Sequence, residues 1–94
     1  MKISAVTINN LKDYIRLDGD DENTFLTTIL TGAKSYIQGF TGLTSEKMDE
    51  KEDLTLALLV LCSEMYDNRQ FTVDKDSMNP VAKSILCMHS VNLL

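Results

Sequence analysis

Asp18, Asp20 and Glu22 alternate along the chain as the first ligands of a calcium-binding EF-hand loop do. The remainder of that loop is missing. Asn23 stands where the sharp-turn glycine belongs, and Ile29 stands where the bidentate glutamate belongs. The carboxylates therefore read as a turn and a helix cap. His89 is the single histidine, two residues from Cys87. A Cys–His nucleophile needs a third group to orient its base, and a closed zinc site needs about four ligands. The sequence supplies neither complement. Cys62 and Cys87 both lie in apolar segments, far from metal-ligand spacing, and read as free, buried, reduced thiols. The reading is a protein that is not an enzyme, with no catalytic, cofactor-binding or metal-binding residues.

The elements that position these residues must fit in 94 residues, one domain with a single core. Apolar residues at 44% beside 24% charged ones suit a globular domain rather than a disordered chain. No apolar run approaches the roughly 20 residues that span a bilayer. The start, MKISAVTINN, carries one lysine and no apolar h-region, so no signal peptide and no membrane contact are expected. The net charge of −5 argues against tight nucleic-acid binding, which draws on lysine and arginine to displace counterions. Charge is also uneven. Residues 1–44 hold four Lys/Arg against five Asp/Glu, whereas residues 45–94 hold five against nine, much of the excess within 46–53. Such a run is a solvated helix start in most proteins, because helix N-termini favour carboxylates.

Periodicity predicts four helices. Thr7 caps the first, over about 8–16, with Asn10 where a full capping box would place Glu or Gln. Leu11, Tyr14 and Ile15 give it one narrow stripe, so a helix this short must pack against something. The turn 17–21 breaks it; Gly19 permits a positive φ, and Asp20 or Asp21 can cap the next helix. Phe25, Leu26, Ile29, Leu30, Ala33, Tyr36, Ile37 and Phe40 then repeat at three- and four-residue steps over about 22–39. Gly39 and Gly42 flank its end.

The third helix starts at a cap on Ser45 or on Asp49, the latter with Glu52 three residues on. From Leu54 its stripe is firm: Leu54, Ala57, Leu58, Leu61, Cys62 and Met65. Leu56, Leu59 and Val60 widen it nearly all the way round, as expected of a central helix or one covered by a partner. Residues 71–78 read as a loop, with a weak strand over 71–73. Asn79-Pro80 opens a last helix with Val81, Ile85, Met88 and Val91 as its inner stripe. The fold expected is all-α, a small single-domain bundle of about four helices over 1–94.

Tyr14, Tyr36 and Tyr66 all fall on helices and each carries an apolar ring with a polar tip. They read either as core-edge packing or as anchors of a subunit interface, where tyrosine is enriched. Arg69 can serve the C-terminal dipole of its helix or grip a carboxylate of a neighbouring subunit. Asp20, Asp21 and the run 46–53 are the available acidic partners.

In order, the chain shows a Thr-initiated Leu-Lys-x-Tyr-Ile-Arg helix, an acidic turn, and a long helix ending Tyr-Ile-x-Gly-Phe-Thr-Gly. An apolar helix ending Tyr66-Asp67-Asn68-Arg69 follows. This ordered set, over roughly residues 6–88, resembles the small head–tail connector (adaptor) proteins of tailed bacteriophages. The resemblance implies a structural protein of the virion neck, made in the cytoplasm of the bacterial host. It implies a ring of about a dozen copies, closed by heterologous contacts, that docks beneath the portal protein, meets the next neck or tail-completion protein and lets DNA pass. On that reading Tyr14, Asp20, Asp21, Tyr36, Tyr66 and Arg69 are the candidate subunit-interface residues. An acidic lumen would let DNA slide without specific binding. A monomeric phage or prophage adaptor, or an accessory of DNA packaging without enzymatic activity, is the alternative. A helix-turn-helix regulator would need a basic recognition helix, and none of the four helices is basic.

Overall fold

One apolar helix, on which most of the other elements lean, organises the chain. The computed structural model describes residues 2–68 and 79–90. A 3-10 turn at Ile3–Ala5 leads into α1 (Ile8–Ile15), α2 (Asn23–Thr41), α3 (Ser45–Asp49), α4 (Asp53–Asn68) and α5 (Pro80–His89). The described residues form no strand. The expectation of an all-α bundle of about four helices stands: among the described residues four α-helices have more than seven residues, and the short α3 joins them. Residues 71–78, where the weak strand was expected, lie outside the described residues.

Helix α4 buries Leu54, Ala57, Leu58, Leu61, Cys62 and Met65, the stripe its sequence predicts. Against it packs α2 through Leu26, Ile29, Leu30, Ala33 and Ile37. Phe25 near the start of α2 meets Tyr66 near the end of α4, ring centroids 6.1 Å apart, so the two helices run antiparallel. Helix α5 returns along α4 in the opposite sense, because His89 at its end reaches Asp53 at the start of α4. Helix α1 lies across α2 and α4, with Leu11 fully buried between them.

The caps explain where the elements begin and end. Thr7 Oγ1 accepts from Asn10 N at 3.5 Å, and Asn10 Oδ1 accepts from Thr7 N at 2.8 Å. Both halves of the box are therefore made, with asparagine doing what Glu or Gln commonly does. Arg16 closes α1 in the left-handed region at φ 59°, its N–H on Lys12 O. A side chain there costs about 1 kcal/mol that glycine avoids. Arg16→Gly is accordingly expected to raise stability by up to about 1 kcal/mol, less the extra freedom glycine gives the unfolded chain. Denaturant midpoints of the two proteins check this; a clear loss of stability would show that the Arg16 side chain holds something of its own.

Helix α2 runs through Gly39 and stops at Gly42, φ 74°, whose N–H reaches Gln38 O at 2.8 Å. Thr41 sets that later end. Its fully buried hydroxyl donates to Ile37 O at 2.8 Å and accepts from Leu43 N at 3.3 Å, locking the last turn. The acidic turn does not cap α2 as expected. Glu22 holds the cap position without a side-chain cap bond, and Asp20 turns back to α1.

The expected third helix is two helices. Thr44, rather than Ser45 or Asp49, caps the short α3 by accepting from Lys47 N. At the junction Glu50 N, Lys51 N, Leu54 N and Thr55 N each reach back only three residues. This tight winding ends one helix and starts the next without a glycine or proline. The break lets Met48 turn into the core, 5% exposed, while α4 keeps its own axis.

Candidate functional site

At one end of the bundle the acidic turn folds against the start of α2 and the end of α4. Leu17, Asp18, Gly19, Asp21, Glu22 and Tyr66 line a shallow hollow of about 200 Å³ there. Gly19 sits at φ 90°, the left-handed geometry that the turn needs. Lys12, its stem buried on α1, extends its ammonium to Asp20 Oδ1 at 2.9 Å. That hydrogen bond, with a second from Asn23 Nδ2, holds the Asp20 carboxyl below the usual carboxylate range. Asp18 and Asp21 point into solvent.

This end gathers three of the candidate interface residues: Asp20, Asp21 and Tyr66. Tyr66 is half-buried, with its ring tilted on Phe25, so only part of it faces outward. Tyr14 stands free on the outer side of α1, 44% exposed. Tyr36 lies elsewhere, thirteen residues along α2 from Asn23 and therefore roughly 20 Å away at 1.5 Å per residue. It packs on Phe40 with ring centroids 6.1 Å apart. Arg69 lies outside the described residues. The six candidates thus do not form one cluster.

The opposite end carries polar clasps that sequence reading missed. Asp49 on α3 accepts from Ser4 N at 3.0 Å and Ser4 Oγ at 2.8 Å, which ties the N-terminal turn to α3. The Ser4 hydroxyl, then its backbone N–H, holds the Asp49 carboxyl below the usual range. His89 Nε2 lies 2.7 and 2.8 Å from the two oxygens of Asp53. A carboxylate at the first turn of α4 suits the dipole of that helix. Lys34 Nζ donates to Val6 O at 3.1 Å. The run 46–53 is therefore partly engaged: Asp49 by Ser4, Asp53 by His89, and Glu50 by Lys47 at 3.5 Å.

Helix α5 is turned differently from its expected face. Ala82, Ile85 and Leu86 are buried, whereas Val81 and Met88 are exposed, and Val91 lies outside the described residues. The same rotation corrects the reading of the cysteines. Cys62 is buried as expected, but Cys87 is exposed. Burial pushes the Cys62 thiol up to about 12, so at pH 8 it carries almost no thiolate. Native protein treated with iodoacetamide is expected to gain one adduct, at Cys87, and a second only after unfolding; peptide mass spectrometry reads the sites. Equal native labelling of both would contradict this burial.

Among the described residues no three His, Cys, Asp or Glu side chains converge as a metal site. None of their helices is long and apolar enough to cross a membrane. What the surface presents is charged turns, exposed tyrosine and exposed aliphatic side chains. These are means of contact between proteins. The family model for the Phage gp6-like head-tail connector protein matches residues 5–85. The chain belongs to this family. No curated protein and no solved structure matches it. The matched span runs from the N-terminal turn through Ile85 of α5, so every helix described above lies in or overlaps the connector region. The role carried by the family is structural: a head–tail connector is a part of the phage particle at its neck, not an enzyme.

Proposed function

We propose that this connector assembles as a closed ring beneath the portal protein, joins capsid to tail and leaves a channel through which DNA passes. The observation that carries the reading is the family match over nearly the whole chain. The fold is compatible with it. A ring needs two different faces on each subunit, one for each neighbour, and the two ends of this bundle are built from different elements, the acidic turn at one and α3 with the N-terminal turn at the other. Tyr14, Asp20, Asp21, Tyr36, Tyr66 and Arg69 are proposed as contacts to neighbouring subunits or to the portal. Of the three tyrosines Tyr14 is the most exposed, and it offers an aromatic surface to a partner. Asp18 and Asp21, exposed at the turn, or the run 46–53, would keep a lumen acidic and let DNA slide. The next neck or tail-completion protein would meet the ring on the side away from the portal.

Mass by light scattering over a concentration series, alone and with the portal protein, followed by negative-stain images, tests the reading. A ring of about a dozen subunits, free or on the portal, is the expected outcome of cyclic closure. A chain that stays monomeric and fails to bind the portal overturns it. DNA binding by the isolated protein that is strong and falls steeply with salt would overturn the acidic lumen while leaving the ring.

A further inference from the structure

Two faces of the connector carry features that a solitary domain has no use for. The first lies along the α4–α5 junction. Asp53, Leu56 and Val60 share one side of α4 at three- and four-residue steps, and Asp53 reaches His89 on α5. Val81, Ile85 and His89 form the row of α5 that borders it, with Met88 beside them. Leu56, Val81 and Met88 are 45%, 52% and 68% exposed, so this junction is rimmed by aliphatic side chains in water.

The second face is the outer side of α2. Thr24, Thr27, Thr28, Thr31, Ser35 and Gln38 are all exposed, and the one charged residue of this 19-residue helix, Lys34, is turned to Val6 O. Thr27 and Thr28 donate their hydroxyls to Asn23 O and Thr24 O on their own helix, so these exposed hydroxyls already have partners. Surface helices of soluble domains carry charge on that side. Beside this face lies a groove of about 220 Å³, walled by Thr31, Ser35 and Gln38 and by the N-terminal turn and α3, with the buried Ile3 and Met48 and the charged Lys34 and Asp49 in its lining.

The two faces look in opposite directions. Leu56 follows Leu54 by two residues, roughly 200° round α4, so it points away from the core that α2 covers. The outer side of α2 points away from the same core on the other side. The charged groups at such a contact already have partners within the chain, Lys34 on Val6 O, Asp49 on Ser4 and Asp53 on His89, and the rest of the α2 face is uncharged, so an apolar rim that lands there strands no unpaired charge. Engineered cavities of roughly 150 Å³ hold a benzene molecule, so the α2 groove is large enough for an unbranched side chain such as Met88.

We propose that the α4–α5 rim of one copy of this chain docks on the α2 face of the next, with Met88 seated in the groove beside Thr31 and Ser35. This rests on the ring reading and names its subunit contact. Because the two faces differ and look apart, each copy keeps one of each free for further neighbours, the heterologous arrangement from which a ring closes.

Disulfide cross-linking in a Cys87→Ser background tests it. A chain carrying both Met88→Cys and Ser35→Cys, oxidised alone and on the portal protein, is expected to give a covalent ladder of rising mass. Each single variant is expected to stop at the dimer or below, and an Asn9→Cys, Met88→Cys control, with Asn9 exposed on α1, to give no ladder. Leu56→Glu with Met88→Glu, folded by circular dichroism, is expected to weaken self-association at least tenfold. A ring that forms without the ladder, or that tolerates both glutamates, overturns this contact and leaves the connector ring standing. Absence of ladder, ring and portal complex together removes both.

Discussion

Leu58→Ala is expected to lower stability by about 3 kcal/mol, within the range of roughly 2–5 for emptying a buried leucine site. Leu58 is fully buried on the inner side of α4, facing a core to which α2, α5 and the N-terminal turn all contribute. In a domain of this size each kcal/mol moves the midpoint by about 4–8 °C, so a drop of more than 10 °C in a thermal melt is the expected result. Leu56→Ala, two residues away, is expected to change stability by no more than about 0.5 kcal/mol, as for an exposed position. Measured on the isolated monomer, this pair separates what the core uses from what the surface offers. Equal losses at the two sites would mean that Leu56 is covered within the chain itself.

That contrast explains what could be read from the sequence and what could not. The period of α2 was legible because Leu26, Ile29, Leu30, Ala33 and Ile37 fall on one face among uncharged polar residues. The buried side of α4 was legible too, and so was the surplus of Leu56, Leu59 and Val60 beyond it, although sequence cannot say which surplus residues stay in water. In α5 the apolar residues Val81, Ala82, Ile85, Leu86, Cys87 and Met88 spread over more than one face. Pattern alone admits two rotations, and contact with α4 selects the one that buries Ala82 and Leu86.

The break between α3 and α4 has no glycine or proline to announce it. It is set by where Met48 must go, a tertiary demand. The two clasps at that end join residues 45 and 36 positions apart, Ser4 to Asp49 and Asp53 to His89. No local pattern encodes such pairs. The candidate site divides along the same line. The antiparallel run of α2 and α4 brings the acidic turn and Tyr66 together, a proximity that the sequence does not show, and the length of α2 sets Tyr36 apart from them. The uncharged outer face of α2 was visible in the letters NTFLTTILTGAKSYIQGFT, but it became informative only once the fold showed which side faces water.

Leu11→Ala is the second large effect, and it differs in kind from the first. Helix α1 has eight residues, too few to persist in water by itself. Leu11 is its one fully buried side chain; Ile8 and Ile15 only flank the core. The loss of about 3 kcal/mol expected for this site falls on the packing of one element, while α2, α4 and α5 keep their mutual contacts. The outcome expected is local opening: amide exchange in residues 8–17 should speed up on the order of 100-fold, the equivalent of that free energy, with much smaller change in α4. Opening of α1 carries Lys12 away from Asp20 and removes the support of the acidic turn. Tyr14, Asp20 and Asp21 would then be present in the chain but no longer held in place. If these residues contribute to subunit or portal contacts, Leu11→Ala should weaken assembly although it lies beneath the surface. Addition of the portal protein should slow exchange in α1 by binding the closed form. Uniform acceleration across α1 and α4 would show instead that α1 belongs to the same cooperative unit as the core. Local opening with undiminished assembly would take α1 and the acidic turn out of the interface.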